Sequence, residues 1–221
     1  MKKPKAKIIV SRYKEDYNWV KEYTDDYLVY NKGYPIFEKN IINTPNLGGN
    51  QRDIFKYIFE NYNNLPELMA FVQAEPFDHC EKDIFDKKIY NTVFTCLETP
   101  SPFTSGRKEY NSMYYMEPNV ANRFLGGTYK TLEGYNQGIT SVDMFMEKYF
   151  SNYEHLNVIR FTPGSQYIIE RRQALKYPKA LYKNMMNEMN YRSSVISHIV
   201  ERCIYIIFTN EYIVNEQFIK E

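Results

Sequence analysis

At 221 residues the chain is long enough for one well-buried core and sits at the upper end of a single domain. Its 28 Lys and Arg balance 27 Asp and Glu, so no global field draws it to nucleic acid or to a membrane surface, and a polyanion partner is not implied. Cys80, Cys96 and Cys203 are odd in number and widely spaced, which argues against a disulfide framework or zinc knuckle and for a reducing, cytoplasmic compartment. The opening Met1 to Lys7 runs straight into Ile8 to Val10, too short for a signal peptide, and no later segment approaches a membrane span.

The first predicted element is a strand over Lys7 to Ser11, from the continuous β-branched run Ile8-Ile9-Val10, and its place in the chain suits the centre of a sheet. Glu15 to Tyr23 reads as a short helix with Tyr17, Val20 and Trp19 inward, and Tyr27 to Tyr30 as a second strand. Together they make a βαβ unit, which requires a parallel sheet. Tyr34 to Gly49 reads as loop, broken by Pro35, Pro45 and Gly48-Gly49. Asn50 is the expected N-cap of a helix whose stripe is Ile54, Phe55, Ile58, Phe59 and Tyr62. Arg52 falls in its first turn, where the helix dipole disfavours a cation; an anionic partner, a bonded base or a solvated surface position would each explain it.

Leu68 to Gln73 reads as a strand buried on both faces, bracketed by Pro66 and Pro76. It ends in acid. Ligands of open α/β sheets gather outside the carboxyl ends of strands, so Glu75, Asp78 and His79 would face that crevice. Carboxylate and imidazole together suit a divalent ion shared with a phosphate. The competing reading is that Asp78 only caps a helix beginning near Glu81.

Farther on, Glu81 to Tyr90 reads as a helix and Thr92 to Leu97 as a strand. Glu98 to Asn119 reads as a lid or acceptor-side loop or an edge hairpin, and Gly126-Gly127 and Gly134 mark turns. Val142 to Phe150 reads as an amphipathic helix. Two strand-like runs, Leu156 to Phe161 and Gln166 to Glu170, flank the turn Thr162-Pro163-Gly164. Pro178 to Met189 and Ser193 to Phe208 read as helices, and His198 and Glu201, three apart on the latter, share a face.

These pieces resemble the small GT-A-type glycosyltransferase domain of the chlorella-virus kind and a wider family of fungal and bacterial domains. The matching segments are Val10-Ser11-Arg12-Tyr13 with Trp19, Tyr30-Asn31-Lys32-Gly33, Asn63-Asn64-Leu65-Pro66, and Phe71-Val72-Gln73 with Pro76-Phe77-Asp78-His79. Later ones are Gln166 to Arg171, Tyr177-Pro178 with Leu181-Tyr182, and Glu201 with Ile204 to Phe208. The resemblance implies a single α/β, GT-A-like domain with a mostly parallel sheet, its nucleotide-binding half over about residues 1–97 and its acceptor half over about 98–221.

It further implies a nucleotide-sugar donor, a uridine diphosphate sugar first of all, and a glycan or other hydroxyl acceptor. The ion, Mn²⁺ or Mg²⁺, is held at an Asp-x-Asp-like motif. This chain departs from that motif, since His79 follows Asp78 directly and Glu75 precedes it. The expected clamp is Asp78 with His79 or Glu75. Ser11, Arg12, Tyr13, Asn31, Lys32, Arg52 and Gln73 are the expected donor contacts, and Glu201 is the nominal general base. The alternative for Glu201 is a salt bridge to Arg171 or Arg172. The resemblance also allows the chain to be part of a larger multidomain protein, in the host cytoplasm if viral. The rival classes are a metal-dependent phosphoesterase or nuclease built on Asp78, His79, Glu81 and Asp83, and an inactive nucleotide-sugar-binding module.

Overall fold

The computed structural model describes residues 3–99, 107–110, 113–116, 139–157, 159–192 and 195–220, the two short stretches 107–110 and 113–116 by backbone alone. The strands are β1 (Lys7–Arg12), β2 (Tyr27–Asn31), β3 (Ile41–Asn43), β4 (Leu68–Gln73), β5 (Thr95–Cys96), β6 (Arg107–Tyr110), β7 (Met113–Met116), β8 (Ile159–Phe161) and β9 (Tyr167–Glu170). The helices are α1 (Val20–Tyr23), α2 (Gly49–Glu60), α3 (Lys82–Lys88), α4 (Val142–Tyr149), α5 (Arg171–Ala174), α6 (Lys179–Glu188) and α7 (Val195–Thr209). A six-stranded sheet has the order β3-β2-β1-β4-β9-β5, with β1 inside it. β3, β2, β1 and β4 are parallel to one another, whereas β9 runs antiparallel to both β4 and β5. A second, three-stranded antiparallel sheet has the order β6-β7-β8.

The unbroken apolar runs of β1 and β4 are explained by cover on both faces. Ile9, Met69, Phe71 and Ile169 pack on one face against α2, α4, α6 and α7. Ile8, Val10, Ala70, Val72 and Ile168 point the other way, onto Val20 and Tyr23 of α1 and Phe85 of α3. Each aliphatic side chain buried this way contributes about 1.5–3 kcal/mol before entropy is counted.

Several expected elements are shorter or placed differently. The helix expected from Glu15 starts only at Val20, because Arg12 and Glu15 fold residues 13–15 back on themselves. Trp19 is half-buried and its indole N–H donates to the Ala74 carbonyl at 2.7 Å. Strand β3 lies within the stretch expected as loop. The N-cap of α2 is Gly48 in the left-handed conformation, not Asn50, whose amide instead donates to the Gly164 carbonyl. The strand expected over Thr92 to Leu97 shrinks to two residues at the sheet edge.

The runs on either side of Gly164 go to different sheets, β8 to the small one and β9 to the large one. Arg171-Arg172 opens α5 directly after β9. Within the Glu98 to Asn119 region β6 and β7 pair as an antiparallel hairpin. The turns expected at Gly126-Gly127 and Gly134 lie outside the described residues. Among the described residues no helix is long and apolar enough to cross a membrane.

Candidate functional site

From β1 the chain steps to β2 on one side, and after α2 it returns as β4 on the other, so strand order reverses between β1 and β4. Such a switch point leaves a crevice at the carboxyl ends of the strands. Ser11 and Gln73 are opposed in register there.

The crevice has two chambers. The first, about 250 Å³, is lined by Ser11, Arg12, Tyr13 and Glu15 after β1, Lys32 after β2, and Gln73, Ala74, Glu75 and Asp78 after β4. The second, about 450 Å³, is lined by His79, the Phe161 to Gly164 region, Arg192, and Ser197, His198, Glu201 and Arg202 of α7. Gly49 and Asn50 at the start of α2, with Gln73, line both.

The acid-bearing end of β4 is held from beneath. Gln166, fully buried, accepts from the Gln73 N–H at 3.2 Å and donates to the Pro76 carbonyl at 3.0 Å. Pro76–Asp78 then forms a 3-10 turn that leaves Glu75, Asp78 and His79 exposed. Helix α3 starts after Glu81 with no side-chain cap, so Asp78 is not a capping residue. Asp78 shares the first chamber with Glu75, while His79 lines the second, its ring against Gly164. Gly164 has φ +75°, and a Cβ there would sit 2.6 Å from the His79 ring.

Among the described residues no three His, Cys, Asp or Glu side chains are gathered as a metal cage, so the rival cluster of Asp78, His79, Glu81 and Asp83 is not assembled. Asp83 instead lies 3.7 Å from Lys87 along α3. Glu75 and Asp78 do line one chamber together. Two carboxylates fit a divalent ion that takes its remaining oxygens from a phosphate and water, the usual manner for Mg²⁺. The donor set therefore fits a shared Mn²⁺ or Mg²⁺ rather than a site made of protein alone.

Beneath the first chamber lies a buried ion pair that sequence reasoning missed. Lys32 Nζ is 2.8 Å from Asp53 Oδ2, with side-chain exposures of 4% and 2%. The ammonium also donates to the Gly49 carbonyl, and the Ser11 hydroxyl donates to the same Asp53 carboxylate. Desolvation of such a pair is offset only by several well-placed partners. Its one sequence signal is an acid on the buried side of α2, beside Ile54 and four residues before Tyr57.

Arg12 organises the wall: it donates to the Glu15 carbonyl at 2.7 Å and to Asn31 Oδ1 at 2.6 Å. Burial tends to raise the Glu15 pKa, but N–H donors of the 13–15 turn and the Arg12 charge bring it below the ordinary value. Asn31 is buried and bonds Asn43 and Tyr34, supporting the wall without lining it. Arg52 lines neither chamber; it packs under Gly48 and reaches Asn190 Oδ1 at 3.4 Å.

On α7, Glu201 accepts from the Gly164 N–H at 2.8 Å and lies 3.3 Å from Arg202. Arg171 and Arg172 are engaged elsewhere, with Glu67 and Glu170. Burial lowers the pKa of His198, partly countered by Glu201 and reinforced by Arg202. Ser197 is buried beside it, with no hydrogen-bond partner for its Oγ among the described residues.

Fold and cleft define an α/β protein with a polar, two-chambered crevice at a topological switch point. The chain belongs to the family described as "Protein of unknown function (DUF3431)", whose model matches residues 8–218. No curated protein and no solved structure matches it significantly.

Proposed function

We propose that the chain is a metal-dependent glycosyltransferase of the GT-A type, moving a sugar from a nucleoside diphosphate, uridine diphosphate first of all, to a hydroxyl of a glycan acceptor. The observation that carries this reading is the division of carboxylates between joined chambers: Glu75 and Asp78 in one, beside a Glu15 bonded to the N–H groups of residues 13 and 14, and Glu201 in the other. Nucleotide and diphosphate occupy the first chamber, and sugar and acceptor meet in the second.

Glu75 and Asp78 would hold the Mn²⁺ or Mg²⁺, which when bound supplies Lewis-acid stabilisation of the diphosphate charge. Tyr13 offers a ring face for the base. Ser11 gives its proton to Asp53, so its oxygen faces a ligand as an acceptor, suited to the N–H on a uracil edge. Gly164 and Arg202 hold the Glu201 carboxylate in one orientation, and each oxygen keeps a lone pair for the acceptor hydroxyl proton.

Titration calorimetry with uridine, guanosine and adenosine diphosphates at fixed Mn²⁺ tests this reading. Tighter binding of the uridine nucleotide is expected, and a tenfold preference corresponds to about 1.4 kcal/mol. Asp78→Ala should abolish metal-dependent binding while leaving the fold intact, because an exposed side chain contributes little to the core. Unchanged affinity in a folded Asp78→Ala protein would remove the clamp. Detection of a transferred sugar separates the enzyme from an inactive binding module.

A further inference from the structure

The segment after α6 is fastened to the start of α2. The Gly48 N–H donates to the Tyr191 carbonyl at 2.8 Å, Arg52 reaches Asn190, and the Met189 carbonyl lies against Gly48. This fixes the backbone from which Arg192 projects. Arg192 lines the second chamber, yet its guanidinium donates to the Tyr13 hydroxyl at 3.3 Å and lies 5.9 Å from the centre of that ring. Tyr13 lines the first chamber. One exposed cation therefore spans the line where the chambers meet.

The helix start at the junction has the same sign. Gly49 and Asn50 begin a 12-residue helix, whose first N–H groups lack intrahelical acceptors and carry partial positive charge. Lys32 stands behind them, its charge balanced by Asp53. The acids lining the two chambers are Glu15, Glu75 and Asp78 in the first and Glu201 in the second; Glu15 accepts from the Tyr13 and Lys14 N–H groups, and Glu201 is bonded to Gly164 and Arg202.

We infer that Arg192 is a diphosphate-binding residue, gripping the donor's phosphates at the junction of the chambers. This rests on the glycosyltransferase reading and adds a protein cation to it. A guanidinium fork suits phosphate oxygens because it offers several N–H donors in one plane, and the Tyr13 contact uses one. During transfer the bond from the anomeric carbon to the diphosphate oxygen breaks and its electron pair stays on the phosphate. The acceptor oxygen bonds to that carbon and passes its proton to Glu201. The new phosphate charge develops where Arg192 stands.

The test compares uridine with uridine diphosphate by calorimetry at fixed Mn²⁺, using wild type, Arg192→Ala and Arg192→Lys. The expected result is about a tenfold weakening of the diphosphate by Arg192→Ala, no change for uridine, and a smaller loss for Arg192→Lys. If wild type binds the diphosphate and Arg192→Ala binds it equally well, the inference falls while the glycosyltransferase reading stands. Equal losses for uridine and its diphosphate would also overturn it, leaving Arg192 as a prop for Tyr13. Failure of wild type to bind either nucleotide would remove the parent reading itself.

Discussion

Individual residues in this cleft are held by partners distant in the chain. Ser11, Lys32 and Asp53 converge from the end of β1, the end of β2 and the second turn of α2. A buried lysine with one carboxylate partner is expensive to isolate, so the pair orients two cleft residues at once. His198 shows a residue-scale effect measurable by pH. Burial lowers its pKa below the ordinary histidine value of 6.5, so the unfolded chain binds the proton more readily than the folded one. Its contribution to stability is complete above that value and is lost as pH falls from about 6.5 toward the lower folded pKa.

His155 behaves oppositely: its hydrogen bond to Glu147 raises its pKa, so its contribution fades as pH rises. It is exposed and its effect is screened. Melting temperature should therefore fall between pH 7 and pH 5.5 in wild type, and His198→Gln should flatten that slope. An unchanged slope would show that His198 is not the group responsible.

At the scale of elements, α2 is the device that builds the junction. Of its expected stripe, Ile54, Phe55 and Ile58 lie in the core, Phe59 is partly buried, and Tyr62 falls beyond the helix in a 3-10 turn. Its beginning was not legible from the sequence. Asn50 has the chemistry of an N-cap, but Gly48 holds that position at φ +63°, a conformation that favours glycine, and the amide of Asn50 is spent on Gly164. A Cβ on Gly48 would sit 2.6 Å from the Met189 carbonyl oxygen. Gly48→Ala should destabilise the fold by about 1–3 kcal/mol through strain at that backbone position. It should also weaken nucleotide diphosphate binding by displacing the segment that carries Arg192. A variant as stable as wild type in urea titration would contradict the assigned strain. The last helices were easier to read: the apolar stripes of α6 and α7 point inward at Leu181, Tyr182, Met185, Ile199 and Cys203 as their spacing requires.

Across the whole molecule, a sheet covered on both faces couples the cleft to global stability, since the strands that end in the cleft are also the middle of the core. A ligand that binds only the folded chain should raise its melting temperature. At a hundred times the dissociation constant, linkage contributes about 2.7 kcal/mol, or roughly 5–10 °C for a chain of this size. Uridine diphosphate with Mn²⁺ should produce that shift, and Mn²⁺ alone should not. A thermal scan in which neither nucleotide nor nucleotide with metal moves the transition would count against the donor site.

The sequence by itself determined the βαβ opening, the doubly buried strand Leu68–Gln73 and the acids that follow it, because apolar runs and proline breaks are local signals. It also placed His198 and Glu201 on one helical face, and both line the second chamber. Tertiary structure decided the rest. Only the fold shows that β9 runs antiparallel beside β4 and that β8 leaves for another sheet, since pairing depends on partners far along the chain. It also turns Arg52 away from the cleft and brings Arg192 to Tyr13 across 179 positions. Local periodicity shows which side of an element is buried; it has no term for which distant polar group stands opposite.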